Sequence, residues 1–325
     1  MFGQSVEGAL RHLLTAGPLL VAFTWTLALA GAAAAYVSQA DGGRRSLRGL
    51  FRFCVPEAIL RHPSCRLDLT YAISAKLLYP VAIAPLLLGN VVIATGVHAL
   101  LSGGLGAPEA RVAPPWSWGV ILLVLVVAQD LVGFLIHVAM HRSAALWEVH
   151  KTHHSAGFLI PLTNRRFHPV QVVIEGLSNA AVIGVVIGAS SYGLGLPLED
   201  YSVAGIDAFF LANALSFHHL RHSHIQLSYG WLERYVISPA QHQLHHSLEA
   251  EHRDRNFGSL LSCWDRMYGT LVYSRPGERY RLGVSEAEGR YATLAQLYLT
   301  PLRGMARVCG RSLRRARGTP QRVID

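Results

Sequence analysis

Acidic residues are scarce in this chain, 20 Asp and Glu against 29 Lys and Arg, and charged residues of both signs make up only 15% of its 325 positions. With 51% hydrophobic residues and a mean hydropathy of +0.29, that scarcity excludes an ordinary soluble protein and points to the bilayer. Chain length therefore does not count domains. Cysteine is also sparse, and Cys54, Cys65, Cys263 and Cys309 are scattered without C-x-x-C spacing, which excludes a zinc knuckle and a disulfide framework and leaves reduced thiols. Neither H-E-x-x-H nor its reverse occurs. No Gly-rich turn sits between a strand and a helix as in a nucleotide fingerprint, since Gly103-Gly104-x-Gly106 falls in a loop expected on the outer side. No internal repeat is present, and biased composition is confined to Ala-rich apolar sequence.

What the chain has instead is long apolar runs. The first, about Pro18–Val37, has small residues after it in the manner of a cleaved leader. The segment that follows carries Arg44, Arg45, Arg48, Arg52, Arg61 and Arg66, which the positive-inside tendency places in the cytoplasm, so the run is read as a retained span. Further runs cover roughly Leu69–Leu101, Trp116–Met140, Val170–Ala189 and Tyr201–Phe217, each near the ~20 residues a crossing helix needs. The second run is overlong and contains Pro80 and Pro85, which predicts a tilted or kinked span. The last is short and contains Asp207, which suits half of a shallow hairpin. The expected fold is all-α, an integral membrane bundle of about four to five spans with a cytoplasmic helical cap. Residues 1–136 form its N-terminal membrane part and basic loop, 137–275 a histidine-rich catalytic region with a membrane hairpin, and 276–325 a basic tail.

Histidine is the other abundance. Fourteen of seventeen fall between His137 and His252, in the boxes His137-x-x-x-His141, His150-x-x-His153-His154 and His242-x-x-His245-His246, with His218, His219, His222 and His224 between the last two. Residues three and four apart share a helix face, so each box projects its imidazoles in one direction. Imidazole suits zinc, copper, iron and nickel, and one ion takes about four such ligands, so this supply suits two metals. Parity of the spans puts every box on one side, at span ends and outside the mid-bilayer.

Ionisable residues within the runs, Lys76, Asp130, Glu175 and Asp207, are functional candidates. Asp130 lies two turns before His137, and Glu175 stands seven residues after His168 on a helix that Pro169 is placed to open. Each has two readings: a carboxylate that orients an imidazole through its second N–H, or an interhelical hydrogen bond with no part in chemistry. The C-terminal segment carries Arg303, Arg307, Arg311, Arg314, Arg315, Arg317 and Arg322, with Leu302, Met305, Val308 and Leu313 for another face. It reads as a surface helix on anionic lipid, and no nucleic-acid module accompanies it.

These boxes, with Arg166-Phe167-His168-Pro169, His222-Ser223-His224, Ser238-Pro239-Ala240-Gln241, Asn256-Phe257-Gly258 and Trp264-Asp265-Arg266-Met267-Tyr268-Gly269-Thr270, resemble the fatty acid hydroxylase and sterol desaturase superfamily over about residues 130–275. The family's H-S-N stretch has His224 in place of its asparagine. The resemblance implies two non-haem irons that use dioxygen to hydroxylate or desaturate a lipid. The ligands it implies are His137, His141, His150, His153, His154, His218, His222, His242, His245 and His246, with His168 as ligand or outer support and His219, His224 and His252 outside the set. The substrate would be a sterol-like ring, an acyl chain, a carotenoid or a lipid headgroup, entering from the bilayer. Without a fused donor domain, electrons would come from a separate reductase, ferredoxin or cytochrome. The alternatives are a membrane zinc hydrolase, which would want a general base beside its ligands, and a metal-binding or transport protein, which would hold its ligands near the midplane.

Overall fold

The computed structural model describes residues 2–39, 45–87, 89–108, 116–195, 211–284 and 290–316. Its regular structure is helical, and the described residues form no strand beyond two isolated antiparallel bridges, Val236 with Leu261 and Ser247 with Leu282. In chain order the helices are α1 (Phe2–Gln39), α2 (Leu47–Cys54), α3 (Glu57–Arg61), α4 (Pro63–Leu87), α5 (Gly89–Leu105), α6 (Trp116–Arg142), α7 (Ala144–His154), α8 (Pro169–Leu194), α9 (His218–Arg221), α10 (Pro239–His245), α11 (Cys263–Tyr268) and α12 (Leu294–Ala316).

Among the described residues, three stretches are long and apolar enough to cross a membrane: Pro18–Gln39 of α1, Trp116–Arg142 and Pro169–Leu194. The expected single span over Leu69–Leu101 is instead two helices, α4 and the shorter apolar α5. The two meet at residue 88, outside the described residues, and Pro80 and Pro85 lie within α4. Most of the expected fifth run, including Asp207, lies outside the described residues.

The membrane helices pack through small residues. Ala94 of α5, Ile121 and Leu125 of α6, and Ile183 and Ile187 of α8 form one core cluster. Gly184 and Gly188 bring α8 against α5 so closely that a Cβ at Gly188 would stand 2.5 Å from the Ala94 carbonyl oxygen. This is the small-xxx-small contact of membrane helices. On the other side Ala28, Ala32 and Ala35 of α1 meet Leu220 and Ile225, and Gly31 leaves room for the Phe217 ring.

Local signals set up the histidine-bearing elements. Ser143 separates α6 from α7 and caps the latter through the Leu146 amide, so the first two boxes stand on either side of one bend. Ser238 and Gln241 form a reciprocal capping box that starts α10, with Pro239 at its first position. The remainder of the cap is irregular chain held by buried carboxylates. Glu233 accepts from Ser228, Ser238 and the Ser274 amide. Asp265 accepts from the amides of Phe257 and Gly258 and from the Thr270 hydroxyl. Such partners satisfy backbone groups that no regular element pairs.

Candidate metal centre

The three boxes converge. His137, His141, His150, His154 and His245 form one group and His153, His222, His242 and His246 a second, with the ligand atoms within each group at most 4.8 Å apart. The groups adjoin, since His153 and His154 are consecutive and the His154 ring stacks on His246 at 4.5 Å. In the second group, Nε2 of His222 lies 3.1 Å from Nε2 of each of His153, His242 and His246. A single ring nitrogen carries one proton or one lone pair, so it cannot satisfy three such neighbours by hydrogen bonding. One cation at the ~2.0–2.1 Å typical of imidazole ligation would, because its ligand nitrogens would stand about 3.0–3.4 Å apart. In the first group, Nε2 of His154 is 3.2 Å from Nε2 of both His150 and His245, while Nε2 of His137 and of His141 are buried without a hydrogen-bond partner among the described residues. Both groups therefore fit metal ions.

The other ring nitrogen explains why Nε2 points inward in the first group. His137 Nδ1–H donates to the Phe257 carbonyl at 2.8 Å and His245 Nδ1–H to the Arg255 carbonyl at 2.7 Å. A carbonyl only accepts, so both rings must present Nε2 as a lone pair. His141 Nδ1 faces the Asp254 carboxylate at 3.2 Å, and His150 Nδ1 faces Gln171 Oε1 at 3.0 Å. The Gln171 amide is set in that sense because its Nε2 donates to Glu175 Oε1 at 2.8 Å. The segment 254–257 thus serves three imidazoles from two boxes, and its shape is unusual: Asp254 and Asn256 have φ of 56° and 54°. Asn256 is held there by its side chain, which donates to the Gln241 carbonyl and accepts from the Val272 amide. Left-handed backbone in non-glycine residues is tolerated where the surroundings over-determine it.

Electrostatics keep the site neutral. Burial, aided by neighbouring imidazoles, holds His150, His153, His154, His222, His242 and His245 well below the usual histidine range, and His246 is pushed down to about 3. Neutral imidazole is the form that ligates. Phe167 stacks on His153 at 4.5 Å, and Trp147 lies against His141 and His154. A cavity of about 290 Å³ opens on the first group between His141, His154 and His245, with Trp147, Lys151, Arg253 and Asp254 among its walls.

The remaining candidates are placed elsewhere. His218 stands outside both groups, against His219 at 4.0 Å and bonded to the Asn213 backbone. The reason is local: α9 is a single turn and His222 at its end has φ −102°, ψ 69°, so the two histidines do not share a helical face. His168 caps α8 by accepting from the Val170 amide, and its Nε2–H donates to the Tyr298 carbonyl, which occupies both nitrogens. Asp130 touches no imidazole; it accepts from the Leu260 and Leu261 amides and the Trp264 indole and so anchors the segment beyond Phe257. Glu175 reaches the centre only through Gln171. His219, His224 and His252 bond to Thr24, the Phe53 carbonyl and Ser247. Sequence reasoning missed Gln171, Asp254 and the two carbonyl acceptors. Gln171 and Asp254 carry no motif of their own, and the carbonyls belong to the Asn256-Phe257-Gly258 region, whose likeness was visible but whose task was not. It also missed Asp68, which with Thr163, Ser64 and Ser155 surrounds the buried Arg166 and ties the second box to α4.

Residues 122–270, which include all the histidine boxes, match the fatty acid hydroxylase family. Among curated proteins the chain is similar to an ornithine lipid hydroxylase of Rhizobium tropici, 28% identical over 56% of this chain and 51% of that protein. It is also similar to an alkylglycerol monooxygenase of Caenorhabditis elegans, 25% identical over 57% of this chain and 32% of that protein. A Δ(7)-sterol 5(6)-desaturase of Gibberella zeae is 26% identical over 48% of this chain and 43% of its own length. The chain thus spans about half or less of the length of these relatives. No solved structure matches it.

Proposed function

We propose that this protein is a membrane-bound non-haem di-iron oxygenase that hydroxylates a C–H bond of a lipid with dioxygen and electrons from a separate carrier. The observation that carries the reading is the convergence of nine neutral, mostly buried imidazoles into two adjoining groups at the ends of membrane helices. His137, His141, His150, His154 and His245 would hold one iron and His153, His222, His242 and His246 the other. Bound irons would supply the reductive activation of dioxygen that no side chain offers. The chain's own work is to fix each ring through its Nδ1 partner, to keep bulk water from the buried rings, and to admit the reacting partners by the cavity beside His141.

A lipid substrate fits a centre built at the ends of α6 and α8, where it can be reached laterally from the bilayer. Hydroxylation is favoured over desaturation because two of the three relatives described are named as a hydroxylase or a monooxygenase. The exposed Arg48, Arg52 and Arg61 support a cytoplasmic position for the centre. Arg253, exposed on the cavity wall, and Arg142, exposed and paired with Asp254 of that wall, suit an acidic electron carrier. The division at residues 136 and 275 is retained as a functional one, although α12 of the C-terminal part folds back on α7.

The test is metal analysis of the purified chain together with lipid profiling of a host with and without the gene under ¹⁸O₂. About two irons per chain and one labelled oxygen in a lipid product are expected. His153→Ala and His245→Ala should each lose iron and product. One zinc per chain with oxygen-independent turnover would overturn the reading.

A further inference from the structure

The two groups of imidazoles are not built alike. In the first, four of five rings have Nδ1 set against an acceptor: the Phe257 and Arg255 carbonyls, the Asp254 carboxylate, and Gln171 backed by Glu175. In the second, Nδ1 of His153, His222, His242 and His246 is buried with no hydrogen-bond partner among the described residues. The first group also has one more donor. An acceptor on Nδ1–H fixes the ring and makes Nε2 more basic, most strongly when a carboxylate stands behind it. Rings already held in place lose less freedom on ligation.

We infer that the two metal positions differ in affinity, the five-histidine position filling first and holding its ion, and the four-histidine position filling second and exchanging. Gln171 and Glu175 are positioning residues in this scheme. Glu175 accepts from the Gln171 amide N–H, which turns Oε1 toward His150, and His150 then has no choice but to present Nε2. Asp254 acts the same way on His141. The inference rests on the di-iron reading for the identity of the resident metal but is tested without it.

The experiment is titration of the metal-stripped full chain in detergent with cobalt(II), read by its visible absorption and by the amount bound. Two phases are expected, one ion per chain each, with affinities separated by at least about tenfold. Gln171→Leu should weaken the tight phase about 10–100-fold and leave the weak one, and the exchange Gln171→Glu with Glu175→Gln, which keeps an acceptor for His150 and a hydrogen bond between the two side chains, should retain it. Asp254→Asn should act on the tight phase in the same sense, and His246→Ala should remove the weak phase only. Release of cobalt from the unmodified protein into a chelator should likewise be biphasic, which needs no variant to fold. Two ions of equal affinity and equal release rate would overturn the inference, as would loss of the weak phase in Gln171→Leu with the tight one intact. Two equal cobalt sites would still leave the di-iron reading standing, whereas a chain that shows both cobalt phases yet yields no labelled lipid would sink only that reading.

Discussion

Asp265 holds the segment that aims three of the imidazoles, and removing its carboxylate tests whether that segment is a structural support of the centre. Its Oδ1 accepts from the Phe257 amide at 2.8 Å, its Oδ2 from the Gly258 amide at 2.6 Å, and the Thr270 hydroxyl donates to Oδ1 at 2.6 Å. Asp265 has 0% relative exposure, so water does not replace it. In Asp265→Ala the hydroxyl can still turn to the residue's own carbonyl, 3.4 Å away, and the loss concentrates on two buried amides. Each stranded amide costs about 1–3 kcal/mol, so the variant should lose roughly 2–6 kcal/mol, a large part of the ~5–15 kcal/mol by which domains are stable. In a thermal unfolding assay in detergent, read by a thiol-reactive dye at the buried Cys65, that corresponds to a drop on the order of 10 °C. Asp265→Asn should not rescue it, because its NH₂ would face one of the two amide donors. Because the Phe257 and Arg255 carbonyls would lose their positions, metal content should fall as well. A midpoint within about 2 °C of the parent's, with metal content unchanged, would refute the reasoning.

Acidification should weaken the metal-free protein. The seven grouped imidazoles outside the spans are held below their usual range, so below about pH 6.5 the unfolded chain takes up protons that the fold refuses. Stability is then unaffected above that pH and falls below it, by on the order of 1 kcal/mol per histidine at pH 5.5. A flat melting profile between pH 7.5 and 5.5 for chelator-stripped protein would contradict this. Gly188→Val should force α5 from α8, since even a Cβ meets the Ala94 carbonyl oxygen at 2.5 Å, and a lowered melting midpoint checks it. Arg166→Leu leaves Asp68, fully buried, without its guanidinium and should cost about 3–5 kcal/mol. The same unfolding assay measures it, and an unchanged midpoint would remove Arg166 from the scaffold.

Legibility followed the range of the interactions involved. Helical class and three membrane stretches are written in local apolar runs, and eight of the nine grouped histidines, all but His222, are written in i, i+3 and i+4 spacing that projects rings from one face. The same rule misled at His218, because spacing implies a shared face only where the backbone stays helical, and at His222 it does not. Over Leu69–Leu101 hydropathy read one run where the described residues form α4 and α5, because apolar character continues through both helices. Asp130 and Glu175 were visible as costly charges in apolar sequence, but a linear chain does not say what a carboxylate will meet. One meets the amides of residues 260 and 261, and the other an amide side chain four residues before it.

The sequence by itself determined the membrane class, the donor type and the number of imidazoles available, because composition and short-range periodicity are properties of neighbours in the chain. Only the tertiary structure decided how they divide, five and four, and which ring nitrogen faces inward. That choice depends on carbonyls and side chains brought from as far as 120 residues away. A backbone carbonyl has no residue identity to read. Its place is set by buried carboxylates and by left-handed turns at Asp254 and Asn256 that exist only once the cap has folded around them.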